Sequence, residues 1–544
     1  MLKKLQRRPI ISIIIIVLIM LCFNIDLLSV SIMEARNFIT AREIINDGNW
    51  LLTTMNGEAR YQKPPLPTWL TAISVLIFGA KSLFALRLPA IIFVGLIGVF
   101  TFLLSNKLLY NKQHSFINAL IVISSFYVIG IIIEAPWDIF THGFMIIALY
   151  YLFQFFQLEK PSYRFAIIAG IFIGFSILSK GPISFYALLL PFLIAYGFSF
   201  HYHKFKSKLV PFSISIILAL IIGGWWYLYV RLNDPTTFTA IAERETSNWS
   251  NYNVKPFYYY WSFFTQSGLW TIPAFISLLY PYLKSRVRHL KAYRFSLLWT
   301  LITLVLLSII PEKKSRYLMP ILIPLAINIG FYIDYLVRHF KTLKDKRELI
   351  PVYFNFGLIA LIALAIPILI YVFFNLDIKE YWFRFSVTTI ACMAFGIGIL
   401  INLKKKQILN VFFLTVLFFA SLFITVIPFS KLVISPNYKP ISDLKVQNSH
   451  QNLRVYGLNY VSPEMIWQFG DKIPPLKQKD GVIELPKEPS FGMLAKSIKP
   501  KDEAFLKKHY HIKQHATFDL NTVSPESNRY NGRLMNRYYI LTKK

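Results

Sequence analysis

Acidic side chains are scarce in this chain of 544 residues: 27 Asp and Glu stand against 58 Lys and Arg, a formal net charge of +31. Charge of either sign is thin as well, at 16% of residues, where a soluble globular chain carries about 25%. With 55% hydrophobic residues, 17% aromatic residues and a mean hydropathy of +0.49, that shortage excludes a soluble multidomain enzyme, a disordered scaffold and a collagen-like fibre. Only two cysteines occur, Cys22 and Cys392, both inside apolar runs, so neither a disulfide framework nor a cysteine-based metal cluster is written into the chain. There is no Walker loop, dinucleotide fingerprint, nucleophile elbow or zinc spacing, which leaves a nucleotide-fed active site without support. No fixed-period repeat or low-complexity tract appears either.

What is there instead is a series of apolar runs. The first lies between about residues 10 and 30, behind Lys3, Lys4, Arg7 and Arg8 and without a clean cleavage site, so it reads as an uncleaved span. Others follow near 84–105, 115–133, 139–157, 165–179, 182–200, 209–230, 257–282, 295–310, 317–337, 352–374, 385–402 and 408–429, about thirteen in all. Each is near the length of about 20 residues that a helix needs to cross a bilayer. The segments 1–9, 201–208, 284–294, 338–347 and 403–407 are rich in Lys and Arg, and they alternate with mixed-charge loops at 31–66, 134–138, 231–256, 311–316 and 375–384. A soluble protein with this much base would suggest a nucleic-acid partner. Here the basic runs between apolar segments are explained by membrane orientation, so no nucleic acid is expected. The N-terminus is then cytoplasmic and the mixed loops external. The fold class expected is mainly α, a polytopic membrane protein with a long first external loop carrying interfacial helices. Residues 1–430 form the membrane part, with loops 31–83 and 231–257 building the site, and 431–544 form a small external α/β domain.

The candidate chemistry gathers at the external ends. Glu34 stands at the mouth of the first span, where an ionisable group needs a partner or a role. Arg42 and Glu43 read as helix-pairing charges on a solvated face. Lys63, held in a Tyr61–Pro67 turn by Pro64, Pro65 and Pro67, is either a snorkelling lysine or a phosphate contact. Other external cations recur: Lys180 in LSKGP, Arg244 in AERET, and Lys313, Lys314 and Arg316 in PEKKSRY. Together, against the positive-inside trend, they suggest a site for an anionic group at the outer membrane surface. Asp138 opens a span as either a helix cap or a catalytic or charge-stabilising carboxylate sharing a cavity with Glu34. His142, one turn on, reads as structural, since one Asp and one His are too few for a metal. Glu243 and Glu312 stay open between surface and site, and the aromatic run Phe257–Trp261 reads as an interface belt.

The stretches EARNFITAREIINDGNW, NGEARYQKPPLPTWL, LSKGP and KKSRYLMPILIPLAI resemble the GT-C membrane glycosyltransferases, and more narrowly the lipid A aminoarabinose transferases (ArnT-type) and their protein O-mannosyltransferase relatives. The likeness implies an inverting transfer of a sugar from a polyprenyl-phosphate carrier to an acceptor at the outer face of a bacterial inner membrane. Lipid A is the leading acceptor and protein or another envelope glycan the alternative. It implies Glu34 and Asp138 as catalytic, with the donor phosphate held by Arg36, Lys63, Lys180, Arg244, Arg316 and Tyr317. The family's usual Asp before Glu-Ala-Arg is Met33 here, and Gln62 and Arg244 stand where many members carry possible metal ligands, so no metal or other cofactor is expected. The expected partners are the carrier-linked donor, the acceptor and membrane lipids, with the chain acting as a monomer. A transporter or flippase is the competing class, but it would show charges at the middle of the membrane rather than at one face.

Overall fold

The computed structural model describes residues 2–79, 82–373, 378–450, 453–479 and 482–544; part of the expected loops at 31–83 and 375–384 lies outside the described residues. The chain begins with α1 (Leu2–Arg7) and α2 (Pro9–Leu21), then enters α3 (Ile32–Asp47) through a single 3-10 turn. α3 starts and stops on local signals. Ser31 accepts from the Glu34 amide while the Glu34 carboxylate accepts from the Ser31 amide, a capping box, and Gly48 closes the helix at φ 74°. A two-residue hairpin, β1 (Thr54–Met55) and β2 (Glu58–Ala59), leads through the proline turn to α4 (Leu66–Phe78).

The bundle continues through α5 (Leu83–Leu109), α6 (Lys112–Ile123), α7 (Phe126–Glu134), α8 (Pro136–Gln157), α9 (Tyr163–Lys180), α10 (Leu190–Phe200) and α11 (Phe205–Asn233). After it come α12 (Pro235–Asn251), the short α13 (Thr271–Leu278) and α14 (Tyr280–Leu283), then α15 (Leu290–Ile309), α16 (Leu322–His339), α17 (Lys346–Phe373), α18 (Ile378–Lys404) and α19 (Ile408–Thr425). Among the described residues ten helices are long and apolar enough to cross a membrane, eleven if the pair α6 and α7, bent by 41°, is one span.

Two of the expected spans take another form. The 182–200 run yields a shorter apolar helix over Phe185–Phe200 that opens with a π turn. The 257–282 run breaks into 3-10 turns and two short helices, because Gly268 turns to φ 63° and prolines interrupt the ladder at 273 and 281. α4, expected as part of the external loop, is an apolar helix whose polar stripe is turned inward. Asn37 of α3 donates to Thr71 (2.9 Å) and accepts from Thr68 (2.7 Å), and Ser74 donates to the Ala85 carbonyl. Pairing these hydroxyls internally is what lets the helix lie in an apolar setting.

The C-terminal residues build α20 (Leu444–His450), β3 (Val455–Gly457), α21 (Pro463–Phe469), β4 (Gln478–Lys479), β5 (Val482–Ile483), β6 (Ser490–Ala495), α22 (Pro500–His509), β7 (Tyr510–Asp519) and β8 (Met535–Lys543). The main sheet runs β3-β6-β8-β7, with β3 and β6 parallel and the other pairs antiparallel. Apolar clusters around Met465 and Tyr538 and around Phe491 and Leu506 cover it. α21 packs on α3: Trp467 meets Phe38 at 5.3 Å and lies under the Arg42 guanidinium. Asn56 of the hairpin exchanges two hydrogen bonds of 2.7 Å with the backbone of Ile473, and Lys472 pairs with Asp47 at 2.8 Å.

Candidate active site

One end of the bundle encloses a cavity of about 670 Å³. Its wall is assembled from α3 and the hairpin, the start of α8, the end of α9, α12, the end of α15 and the segment before α16. Seven basic side chains face three acidic ones there: Arg36, Arg60, Lys63, Lys180, Arg244, Lys314 and Arg316 against Asp138, Glu245 and Glu312. Tyr186, Tyr252 and Tyr317 add aromatic surface, and Ile183, Leu307 and Ile310 give one side an apolar lining.

Every acidic group in this wall is already engaged. Asp138 is bonded by Lys180, both nearly free of solvent, and its second oxygen is buried with no hydrogen-bond partner among the described residues. It makes no capping bond to its own helix, whose Pro136 start needs none at that amide. Lys63 lies 3.8 Å from Glu245. Lys314 contacts Glu312 at 2.5 Å, and Tyr317 donates to the same oxygen at 3.0 Å. Lys180 stands 5.3 Å from the Tyr317 ring centre and Lys314 4.8 Å from that of Tyr252. Arg36, Arg244 and Arg316 make no ion pair among the described residues. Arg36 reaches only the Met33 sulfur, at 3.8 Å. The cavity therefore holds a net positive charge with three guanidiniums uncommitted, the condition for gripping a phosphate.

The structure brings Asp138, Arg36, Lys63, Lys180, Arg244, Arg316 and Tyr317 to one cavity. Glu34 is not with them. Its carboxylate points away from the cavity into the bundle, where Arg87 of α5 donates Nε to one oxygen (2.6 Å) and Nη2 to the other (2.9 Å), each side chain 1% exposed. The expectation of Glu34 as a catalytic carboxylate is corrected accordingly. It is a paired, helix-capping group, and leaving either charge of such a pair alone would cost about 3–5 kcal/mol.

Glu43 departs from its surface reading as well. It is buried and accepts from the Thr54 hydroxyl (2.7 Å) and the amides of Asn56 (2.6 Å) and Gly57 (3.2 Å), which pins the hairpin to α3. Lys313 turns from the cavity to the carbonyls of Lys255 and Ile310. His142 is buried inside the bundle and does not line the cavity. In the aromatic run, Phe257, Tyr258 and Trp261 are exposed, while Tyr260 is buried and donates to the Lys314 carbonyl.

Sequence reasoning passed over Arg60 and Glu245. Arg60 is 8% exposed, donates to the Arg36 carbonyl at 3.0 Å and stacks 5.1 Å from Trp137. It sits in the quoted NGEARYQKP stretch, so a cation three residues before Lys63 was the available signal. As for a divalent ion, among the described residues no three His, Cys, Asp or Glu side chains come together, and each carboxylate of the cavity is held by a lysine.

Residues 62–227 match the family model described as dolichyl-phosphate-mannose-protein mannosyltransferase. An undecaprenyl phosphate-alpha-4-amino-4-deoxy-L-arabinose arabinosyl transferase of Shewanella sediminis is 26% identical over 69% of this chain and 68% of its own length. One of the same name from Serratia proteamaculans is 24% identical over 61% of this chain and 60% of its own. The crystal structure of ArnT from Cupriavidus metallidurans bound to undecaprenyl phosphate superposes with a TM-score of 0.62 over 98% of this chain and 97% of that one, at 14% identity. The fold is that of ArnT.

Proposed function

We propose that this membrane glycosyltransferase of the GT-C, ArnT-like type takes a sugar from a polyprenyl-phosphate carrier and hands it, with inversion, to lipid A at the outer face of the inner membrane. The observation that carries the reading is the cavity, which sets three arginines without an ion pair among the described residues, and four further lysine- or arginine-borne charges, around one buried carboxylate. The relatives named above act by name on an undecaprenyl-phosphate-linked sugar, and a carrier phosphate is the kind of group such a cavity holds. In the transfer an acceptor oxygen attacks the anomeric carbon while the bond from that carbon to the carrier phosphate breaks. The departing phosphate changes from diester to monoester and gains negative charge, which Lys180, Arg36, Arg244 and Arg316 stabilise where they already stand. Asp138 orients Lys180 and offers its free oxygen to a proton on the acceptor. No step runs through a metal, and one chain supplies every side chain used.

Orientation follows from the charge pattern: the basic loops lie in the cytoplasm and the cavity opens on the other side. The experiment that tests the reading is mass spectrometry of lipid A and of envelope glycoproteins from cells with and without the gene. A glycosyl mass difference confined to lipid A supports it. A difference confined to proteins would move the acceptor to Ser or Thr, as the match to the mannosyltransferase family model would suit, and no difference in any envelope fraction would sink the enzyme reading.

Donor binding should also report on pH. Burial pulls the Lys63 ammonium below the usual lysine range, against the attraction of Glu245. A lowered pKa means the charge is lost earlier as pH rises, so affinity for undecaprenyl phosphate should fall on the alkaline side sooner than an ordinary lysine would allow. In Lys63→Arg the guanidinium keeps its proton, and the alkaline loss should move to higher pH or vanish. An identical pH profile in both proteins would take Lys63 out of the phosphate site.

A further inference from the structure

We propose that the buried Glu34–Arg87 pair is a positioning device for the carrier phosphate: it sets the roll of α3 so that Arg36 presents its guanidinium to the cavity. The inference rests on the reading of that cavity as the carrier-phosphate site. Three observations carry it.

The pair does more than join two charges. Arg87 also donates to the carbonyls of Ile25, Leu28 (3.1 Å) and Ser29 (3.4 Å), so one guanidinium gathers the whole connection from α2 into α3. Glu34 closes the capping box on Ser31, whose hydroxyl in turn reaches the Ile133 carbonyl of α7 at 2.5 Å. The first turn of α3 is therefore tied to α5 and α7 at once.

Among the described residues Arg36 has no polar anchor beyond the Met33 sulfur at 3.8 Å, so its direction is inherited from the helix that carries it. Successive residues of a helix are turned by about 100°, which places Glu34 and Arg36 roughly 200° apart. Locking the carboxylate onto α5 therefore turns the guanidinium away from α5 and toward the cavity. Finally, a buried ion pair is a poor way to add stability, since apolar side chains of the same size do as well; fixing register is its better-attested use.

The test uses the full chain in detergent, with undecaprenyl phosphate as the binding probe and a carrier-linked sugar for turnover. Glu34→Gln keeps an oxygen for the Ser31 amide and removes the charge. It should weaken undecaprenyl phosphate binding and raise KM for the donor by about tenfold, the scale of one misplaced charge-assisted contact, with any fall in kcat no larger than the one Arg36→Ala produces. Arg36→Ala should do the same, and the double variant should be no worse than Arg36→Ala alone, because Glu34 then has nothing left to position. Multiplying effects would reduce Glu34 to a folding role, and a fall in kcat with binding intact would return it to chemistry; either overturns the proposal. If Glu34→Gln does not fold, Ser31→Ala, outside the ion pair, should shift affinity in the same direction by about threefold, a loss on the scale of one cap, and unchanged affinity overturns the proposal there too. Failure of the unsubstituted chain to bind undecaprenyl phosphate would overturn the carrier reading and this inference with it, a result distinct from unaltered binding in E34Q.

Discussion

Replacing Lys180 with methionine should cut sugar transfer by roughly 10²–10³-fold, the cost typical of losing one preorganised group that meets charge as it develops. Methionine is close to lysine in length and fills the same space, so the apolar packing survives while the charge goes. Two things are lost together. The departing phosphate forfeits a cation, and Asp138, 2% exposed, forfeits the partner that holds its carboxylate. Transfer measured in proteoliposomes with a carrier-linked donor, beside a thermal melt of the same preparation, separates lost chemistry from lost fold. A fall of less than about threefold in a normally melting protein would mean the Lys180–Asp138 pair is a strut rather than part of the reaction.

The second large effect is expected at Asp138 itself, and it should depend on pH. Asparagine can still accept from Lys180 but cannot take a proton. A phosphate acceptor loses its second proton near pH 6, so below that value transfer leaves a proton for Asp138 to take and above it leaves none. Asp138→Asn should therefore lose about 10²-fold at acidic pH and progressively less toward alkaline pH, where the acceptor arrives ionised. A loss that stays flat across pH would assign Asp138 to orienting Lys180 alone. A loss that grows with pH would contradict both roles.

Much of this architecture can be read from the residues, because hydropathy runs of the right length have few alternatives in lipid. Most of the expected spans are helices, and among the described residues ten or eleven of about thirteen are long and apolar enough to cross a membrane. The departures come where local chemistry overrides average hydropathy: Gly268 and prolines in the 257–282 run, and the inward-facing Thr68, Thr71 and Ser74 of α4. The cations of the site were legible as an excess on the wrong side of the charge pattern, and most of them meet in one cavity. A carboxylate at the mouth of a span needs a partner or a role, and for Glu34 the structure supplies the partner, Arg87. The helical angle between Glu34 and Arg36 shows that both cannot face one hollow, and Arg87, a lone cation in the apolar run LFALRLPAII, was waiting for a carboxylate. Glu43 escaped for a different reason: its partners are backbone amides of a turn, which no pattern of side chains announces.

The hairpin bearing Arg60 and Lys63 toward the cavity is held from behind as well, through the two bonds between Asn56 and Ile473. The C-terminal sheet thus stands in mechanical series with the donor's grip although none of its residues lines the cavity. A molecule wedged between Trp467 and Phe38 would loosen that hold from a distance, without entering the cavity itself.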